Sequence, residues 1–202
     1  MISFKAQIED ILGHDIGDDN MITESLIASG VEIIKLTPNE RLLKIAQEQD
    51  IPSGGLASYN RKILQVHKDN YISREVEYSK IAKVKDSGSL FYATIKDPAH
   101  YFSLDKVFIV ADGALTTGKL LSVPVHPTSN GSVLITHAST TTAYFPQEAE
   151  RLMPLGAAIR CLKLTVGKHI NADEDIELGK GSMSQLQLLE ASYDKELQKY
   201  LA

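Results

Sequence analysis

Apolar positions fall into two rhythms along this chain. Near the N-terminus they recur every three or four residues: Phe4, Ile8, Ile11 and Leu12, then Ile22, Leu26, Ile27, Ile33 and Ile34. That spacing predicts amphipathic helices. Ser3 is placed to cap the first, and Gly13-His14-Asp15-Ile16-Gly17-Asp18-Asp19-Asn20 separates the two with turn formers. Thr37-Pro38-Asn39-Glu40 both stops and restarts a helix. Pro38 disfavours helix at the residue before it but suits a first turn, and Thr37 with Glu40 fits a capping box. The restarted helix is predicted to carry Leu42, Leu43, Ile45 and Ala46 and to end before Ile51-Pro52-Ser53-Gly54-Gly55.

From about residue 59 the rhythm changes. β-Branched and aromatic residues become denser, and Gly and Pro recur at short intervals. Predicted strands are 62–67, part of 71–83, 90–95, 106–110, 120–125 and 132–137. Ser129-Asn130-Gly131 suits a hairpin turn between the last two, because Asn-Gly tolerates positive φ. Pro124 and Pro127 cannot donate ladder hydrogen bonds, which predicts an edge position for the strand at 120–125.

Helical spacing returns in the last quarter. Pro146 suits a helix start, and Ala149, Leu152, Met153, Ala157, Ile159 and Leu162 form a stripe. Pro154 is expected to kink or break its first turn. A last helix is predicted to open at Asp173-Glu174-Asp175, acids at the positive end of the dipole. It continues through Ile176, Met183, Leu186, Leu189, Tyr193, Leu197 and Tyr200, a face suited to another helix, with Gly179 and Gly181 weakening its first half. The pattern predicts an α+β fold, with helical N- and C-terminal segments packed together and an inserted antiparallel β region. The expected divisions are 1–58 helical, 59–142 β-rich and 143–202 helical.

Composition narrows the class. The 202 residues carry 26 acids, 21 lysines and arginines, one cysteine and no tryptophan, for a net charge of −5. That balance argues against binding nucleic acid by bulk attraction. One cysteine cannot form an intrachain disulfide, and no apolar run approaches a membrane span. No signal peptide is visible at Met1-Ile2-Ser3-Phe4-Lys5, so a soluble protein of a reducing compartment is expected. The charge is uneven. Residues 1–50 hold ten acids and four bases, whereas 51–100 hold eight bases and five acids. The acidic segment reads as a solvated helical face, or as a surface that meets or repels a partner.

No motif predicts catalytic, cofactor-binding or metal-ligating residues. Gly113-Ala114-Leu115-Thr116-Thr117-Gly118-Lys119 matches the spacing of a phosphate loop after an apolar strand. It lacks the following hydroxyl, since Leu120 stands there, and Pro124 precludes the helix whose N-terminus would face a phosphate, so an exposed turn is expected. His14, His67, His100, His126, His137 and His169 show no metal-ligand spacing. Cys161 falls on an apolar stripe and reads as a core thiol. The acids Asp15, Asp18 and Asp19 lack the alternation and central glycine of a calcium loop. Lys80, Lys83 and Lys85, with Tyr78 nearby, read as the polar side of a strand or as a contact to phosphates.

Three blocks carry a family resemblance. The first is Asp86-Ser87-Gly88-Ser89-Leu90-Phe91-Tyr92-Ala93-Thr94, followed by Pro98 and Tyr101-Phe102. The second is Phe145-Pro146-Gln147-Glu148-Ala149-Glu150, leading into Leu155-Gly156-Ala157-Ala158-Ile159-Arg160-Cys161-Leu162. The third is Glu174-Asp175-Ile176-Glu177-Leu178, then Gln185-Leu186-Gln187-Leu188-Leu189 and Tyr193. In this order they resemble virion structural proteins of tailed bacteriophages, in particular head-to-tail connector (adaptor or neck) proteins. The resemblance implies a non-enzymatic homo-oligomeric ring, commonly twelvefold (a dodecamer), between the portal protein and neighbouring neck or tail proteins. Double-stranded DNA would pass transiently through its channel, with no membrane contact and with assembly in the host cytoplasm. An acidic segment lining such a channel would keep DNA from sticking. The alternatives are a tail-terminator or tail-completion protein, probably hexameric, and a small metal- or nucleotide-dependent enzyme.

Overall fold

The computed structural model describes residues 2–171 and 176–202, with side chains left undescribed over 168–180. It has the expected α+β class. The chain divides into a helical unit, Met1–Pro38 with Val125–Ala202, and a β unit, Asn39–Pro124, inserted within it. The β unit thus begins and ends earlier in the chain than residues 59 and 142. Among the described residues no helix is long and apolar enough to cross a membrane.

The helical unit contains α1 (Phe4–Leu12), α2 (Asp19–Leu36), α5 (Leu152–Asn171) and α6 (Ile176–Leu201). Helices α1, α2 and α6 all pack on α5. The predicted stripes are the buried ones: Phe4, Ile8 and Leu12 on α1, and Ile22, Leu26, Ile33 and Ile34 on α2. Ser3 caps α1 by accepting from the Ala6 amide, and Gly13 closes it at φ 73°, donating to the Glu9 carbonyl. Asp18 caps α2 through the Met21 amide.

Helices α2 and α5 meet through small residues. Ser25, Ser29 and Gly30 are buried on α2, and Ala157 and Ala158 on α5. A β-carbon on Gly156 would collide with the Ser29 hydroxyl, and one on Gly30 would come within 2.5 Å of the Pro127 ring. Pro154 does not break α5. It is the third residue of the helix, where a missing N–H removes no intrahelical bond.

Residues 125–145 form a loop, not the expected hairpin strand at 132–137. Only two isolated bridges join it, Thr128 to Leu134 and Thr128 to Ala143. The turn centres on Gly131, with Ser129 donating to the Val133 carbonyl, and the Asn130 side chain accepts from the Ser132 and Val133 amides. Those local bonds compete with a ladder. The loop instead serves α1: the Ser139 and His137 carbonyls accept from the Phe4 and Lys5 amides, both at 2.9 Å. With the Ser3 cap, the free donors of the first turn of α1 are all satisfied.

The β unit opens with α3 (Asn39–Leu43), shorter than predicted, because β1 (Gln47–Ile51) takes over the next residues. Further strands are β2 (Leu56–Ala57), β3 (Arg61–Lys68), β4 (Tyr71–Ile72), β5 (Arg74–Glu75), β6 (Ala99–Ser103), β7 (Lys106–Ala111), β8 (Ala114–Thr116) and β9 (Gly118–Pro124). A short 3-10 turn, Tyr78–Lys80, leads into α4 (Ile81–Lys85). One sheet has the order β1-β9-β3-β4 and the other β2-β7-β6-β5, with β8 beside β7. All pairings are antiparallel except β5 with β6.

Strand β9 is central, not at an edge. Pro124 is its last residue, where no further ladder donor is needed. Residues 90–95 are turn and loop, not strand. The Asp86 and Ser89 side chains bind the Gly88 and Phe91 amides, which diverts the backbone from a ladder. The sheets share one core of Ile51, Val66, Val107, Ile109 and Leu120. A second core of Val84, Ala93, Ala99, Tyr101 and Val110 lies beneath α4 and the following loop.

The α2–α5 contact makes a clear prediction. Gly156→Ala should destabilise the protein by about 1–2 kcal/mol in urea denaturation, because overpacking outweighs better helix propensity. Adding Ser29→Ala should recover most of the loss, since it removes both the collision and a buried hydroxyl that has no partner.

Candidate interaction surfaces

The phosphate-loop-like stretch folds as strand, turn and strand across β8 and β9, with no helix behind it. It is not simply an exposed turn, since a β-carbon on Gly118 would strike the His67 carbonyl and Ile109. The glycine therefore serves close packing of β9 on its neighbours. Lys119 bonds to Glu48 at 2.9 Å and to Asp50 at 2.8 Å across the β1–β9 ladder. Those two hydrogen-bonded carboxylates raise its pKa well above the usual lysine value. A surface hollow of about 840 Å³ beside it is lined by Lys68 and Lys119 together with Asp69 and Asp50, and each lysine is paired with one of these carboxylates.

Sequence spacing missed a buried Ser–His pair. Ser73 and His100 lie 27 residues apart, yet Oγ and Nδ1 are 2.8 Å apart and both residues are buried. The Ser73 hydroxyl donates to the Val66 carbonyl at 2.9 Å. Its one proton is thus committed, and His100 Nδ1–H donates to Ser73. A histidine that donates to the serine cannot take the serine's proton, so the pair is a structural tie between strands. Burial pushes the His100 pKa down, with Glu75 and Ser73 opposing more weakly. The legible signal was the alternation in Ala99–Ser103, which placed His100 and Phe102 on one face with their rings edge to face at 5.7 Å.

Other candidates are accounted for locally. Cys161 is buried, and that burial pushes its thiol up, as for a core residue. Asp18 caps α2, and Asp19 accepts from Lys5 at 2.7 Å with His137 at 3.4 Å. The Lys5 hydrogen bond lowers the Asp19 pKa, and the same bond raises that of Lys5. Asp173, Glu174 and Asp175 lie outside the described residues, as does the His169 side chain. Among the described residues no three of His, Cys, Asp and Glu are grouped to hold a metal ion.

Two surfaces stand out instead. The first covers the second core of the β unit. Lys80, Lys83 and Lys85 sit on the 3-10 turn and α4, not on a strand. Around them Tyr78, Leu90, Phe91 and Ile95 are exposed, with Leu90 at 103% of its free surface. This cap is fixed from below. Val84 and Ala93 are buried, Ala93 donates to the Val84 carbonyl at 3.0 Å, and Tyr78 meets Tyr101 edge-on at 5.9 Å.

The second surface is α6. From residue 181 onward Tyr200 is its one buried residue, and the Tyr200 hydroxyl bonds Thr37 Oγ1 at 3.0 Å. Leu186, Leu189, Tyr193 and Leu197 are half-buried, as the expected helix-facing stripe requires. Met183 is exposed, and Leu188 is 73% exposed. Beside this helix a cleft of about 480 Å³ is lined by Glu32, Gly156, Arg160, Lys163, Glu190 and Tyr193. Ion pairs Arg160–Glu32 at 2.9 Å and Lys163–Glu190 at 2.6 Å rim it. Burial, then the Glu32 charge, pushes the Tyr193 phenol up to about 12.

Against known proteins, the chain matches no family model and no curated sequence.

The buried His100 gives a pH prediction. Its folded pKa lies below the unfolded value of 6.5, so unfolding takes up a proton as pH falls. Stability is full above the unfolded pKa and declines as pH drops from there through the folded one. In chemical denaturation at pH 7 and pH 5, wild type should lose more stability than His100→Gln. Separately, Cys161 should stay unreactive to a thiol reagent at pH 8 until the protein is denatured.

Proposed function

We propose that the chain is a structural component of a tailed-phage virion, a ring-forming adaptor or neck protein joining portal to tail around the DNA channel. The observation that carries this reading is where apolar surface is left uncovered. Leu90 and Phe91 belong to the first block that resembles virion proteins, and Leu188 belongs to the third. Three of the exposed apolar side chains thus sit in segments that resemble assembled proteins, alongside others such as Leu104 and Tyr59 that lie outside them. An apolar patch rimmed by polar groups marks an interaction site.

The work of such a protein is burial. Copies meet through unlike surfaces, and a head-to-tail contact closes into a ring when its rotation closes. The helical unit supplies a rigid body, with α6 offering a face that α5 covers on one side only. The β unit supplies a second surface in its fixed cap. Neighbours would be the portal protein on one side and neck or tail proteins on the other, with assembly in the host cytoplasm and a final place at the head–tail junction.

Native mass spectrometry of particles, and of the purified chain with the portal, tests the reading. The expected result is the chain inside particles as a closed ring of about twelve copies. Six copies would favour a tail-terminator, and absence from particles would rule the virion reading out. Leu188→Lys should leave the melting temperature unchanged, because the side chain is exposed, and reduce ring yield.

A further inference from the structure

The cap over the second core is rigid, apolar at its tip and basic at its rim. From Glu77 to Asp97 the chain holds four lysines and three acids; Lys80 pairs with Glu77 at 3.1 Å and Asp97 with Arg74 at 3.1 Å, and Lys83 and Lys96 are exposed. Arg74 donates to the Phe91 carbonyl at 2.7 Å, and Asp112 to the Ala93 carbonyl at 2.7 Å, so the Leu90–Phe91 knob stands on a fixed backbone. A preordered knob loses little freedom when it is covered.

The chain also carries the opposite surface. Between Glu9 and Glu24 stand six acids and no lysine or arginine. Asp10, Asp15, Asp18 and Glu24 are exposed there, with half-buried Ile11 and Met21 among them in the sequence. Lys5 answers Glu9 and Asp19, and His137 faces Asp19. A phosphate polymer is a poorer match for the cap, because the whole chain is acidic.

We infer that the cap of one copy docks onto the acidic corner of α1 and the start of α2 in a second copy, Leu90 covered and the rim lysines facing the acids. The inference rests on the ring-forming reading and adds which surfaces meet. Cap and corner are different patches, so the contact is heterologous and repeats from copy to copy. Charge at the rim sets register and speeds encounter, while the covered apolar knob holds the pair.

Charge swapping tests it on the full chain by sedimentation velocity. Lys83→Glu with Lys96→Glu, and separately Asp10→Lys with Asp15→Lys, should each weaken self-association by about tenfold or more. All four positions are exposed, so both variants should melt as wild type does. An equimolar mixture of the two should associate again, because each cap then finds a corner of opposite sign. Leu90→Ser should weaken association without changing the melt. The contact is overturned if either double variant assembles like wild type, as it would were the acids lining a channel, or if the mixture stays apart. A wild-type chain that is monomeric at about 100 µM overturns it as well. Rings insensitive to both reversals would sink this contact and leave the virion reading standing. Absence from particles would sink the virion reading, with the swap still deciding the contact.

Discussion

The close approach of α2 to α5 is the contact on which the helical unit depends. It is made by what the two helices lack. Gly156 leaves room for the Ser29 hydroxyl, while Gly30 on α2 leaves room for Pro127 of the 125–145 loop. Small residues bring backbones together and let the larger ones on either side interdigitate. Leu26 and Ile33 on α2, and Met153 and Leu162 on α5, are buried at 3% exposure or less. The arrangement leaves the Ser29 oxygen and the Tyr193 hydroxyl buried without partners. Close packing has been kept at the expense of polar satisfaction.

The same economy appears at α1. Nine residues make a marginal helix in isolation. Here its first-turn donors are taken by carbonyls of the 125–145 loop, and its buried face lies on α5. Thr23 Oγ1 in turn accepts from the His137 amide at 3.1 Å, which ties the loop to α2. An irregular segment thereby becomes part of the scaffold, and its lack of strand structure follows from where its hydrogen bonds go.

Much of the fold was legible because helical stripes and caps are local signals. Phe4, Ile8 and Leu12 announced α1, and Ser3 and Gly13 its ends. The errors share one cause, competition from non-local partners or side-chain turns. Strand β1 reads Gln-Glu-Gln-Asp-Ile and shows little apolar alternation, yet all five residues pair with β9 and Ile51 is buried in the shared core. Residues 90–95 are apolar enough for a strand, but Asp86 and Ser89 fold the backbone into turns first. Pro124 suggested an edge, because a proline in a ladder is costly. Sequence could not show that it ends the strand. The cap and the exposed face of α6 were invisible for a different reason: apolar residues predict burial, and only the folded chain reveals which remain uncovered.

The insertion of the β unit between α2 and α5 has a consequence for synthesis. The α2 face with Ser25, Ser29 and Gly30 emerges from the ribosome long before Gly156. Everything that the β sheets need is complete at Pro124, so that unit has its partners while α2 is still without its own. The helical unit can close only once α5 and α6 have also been made. Until α5 is made, the α2 face with Ser25, Ser29 and Gly30 stays uncovered.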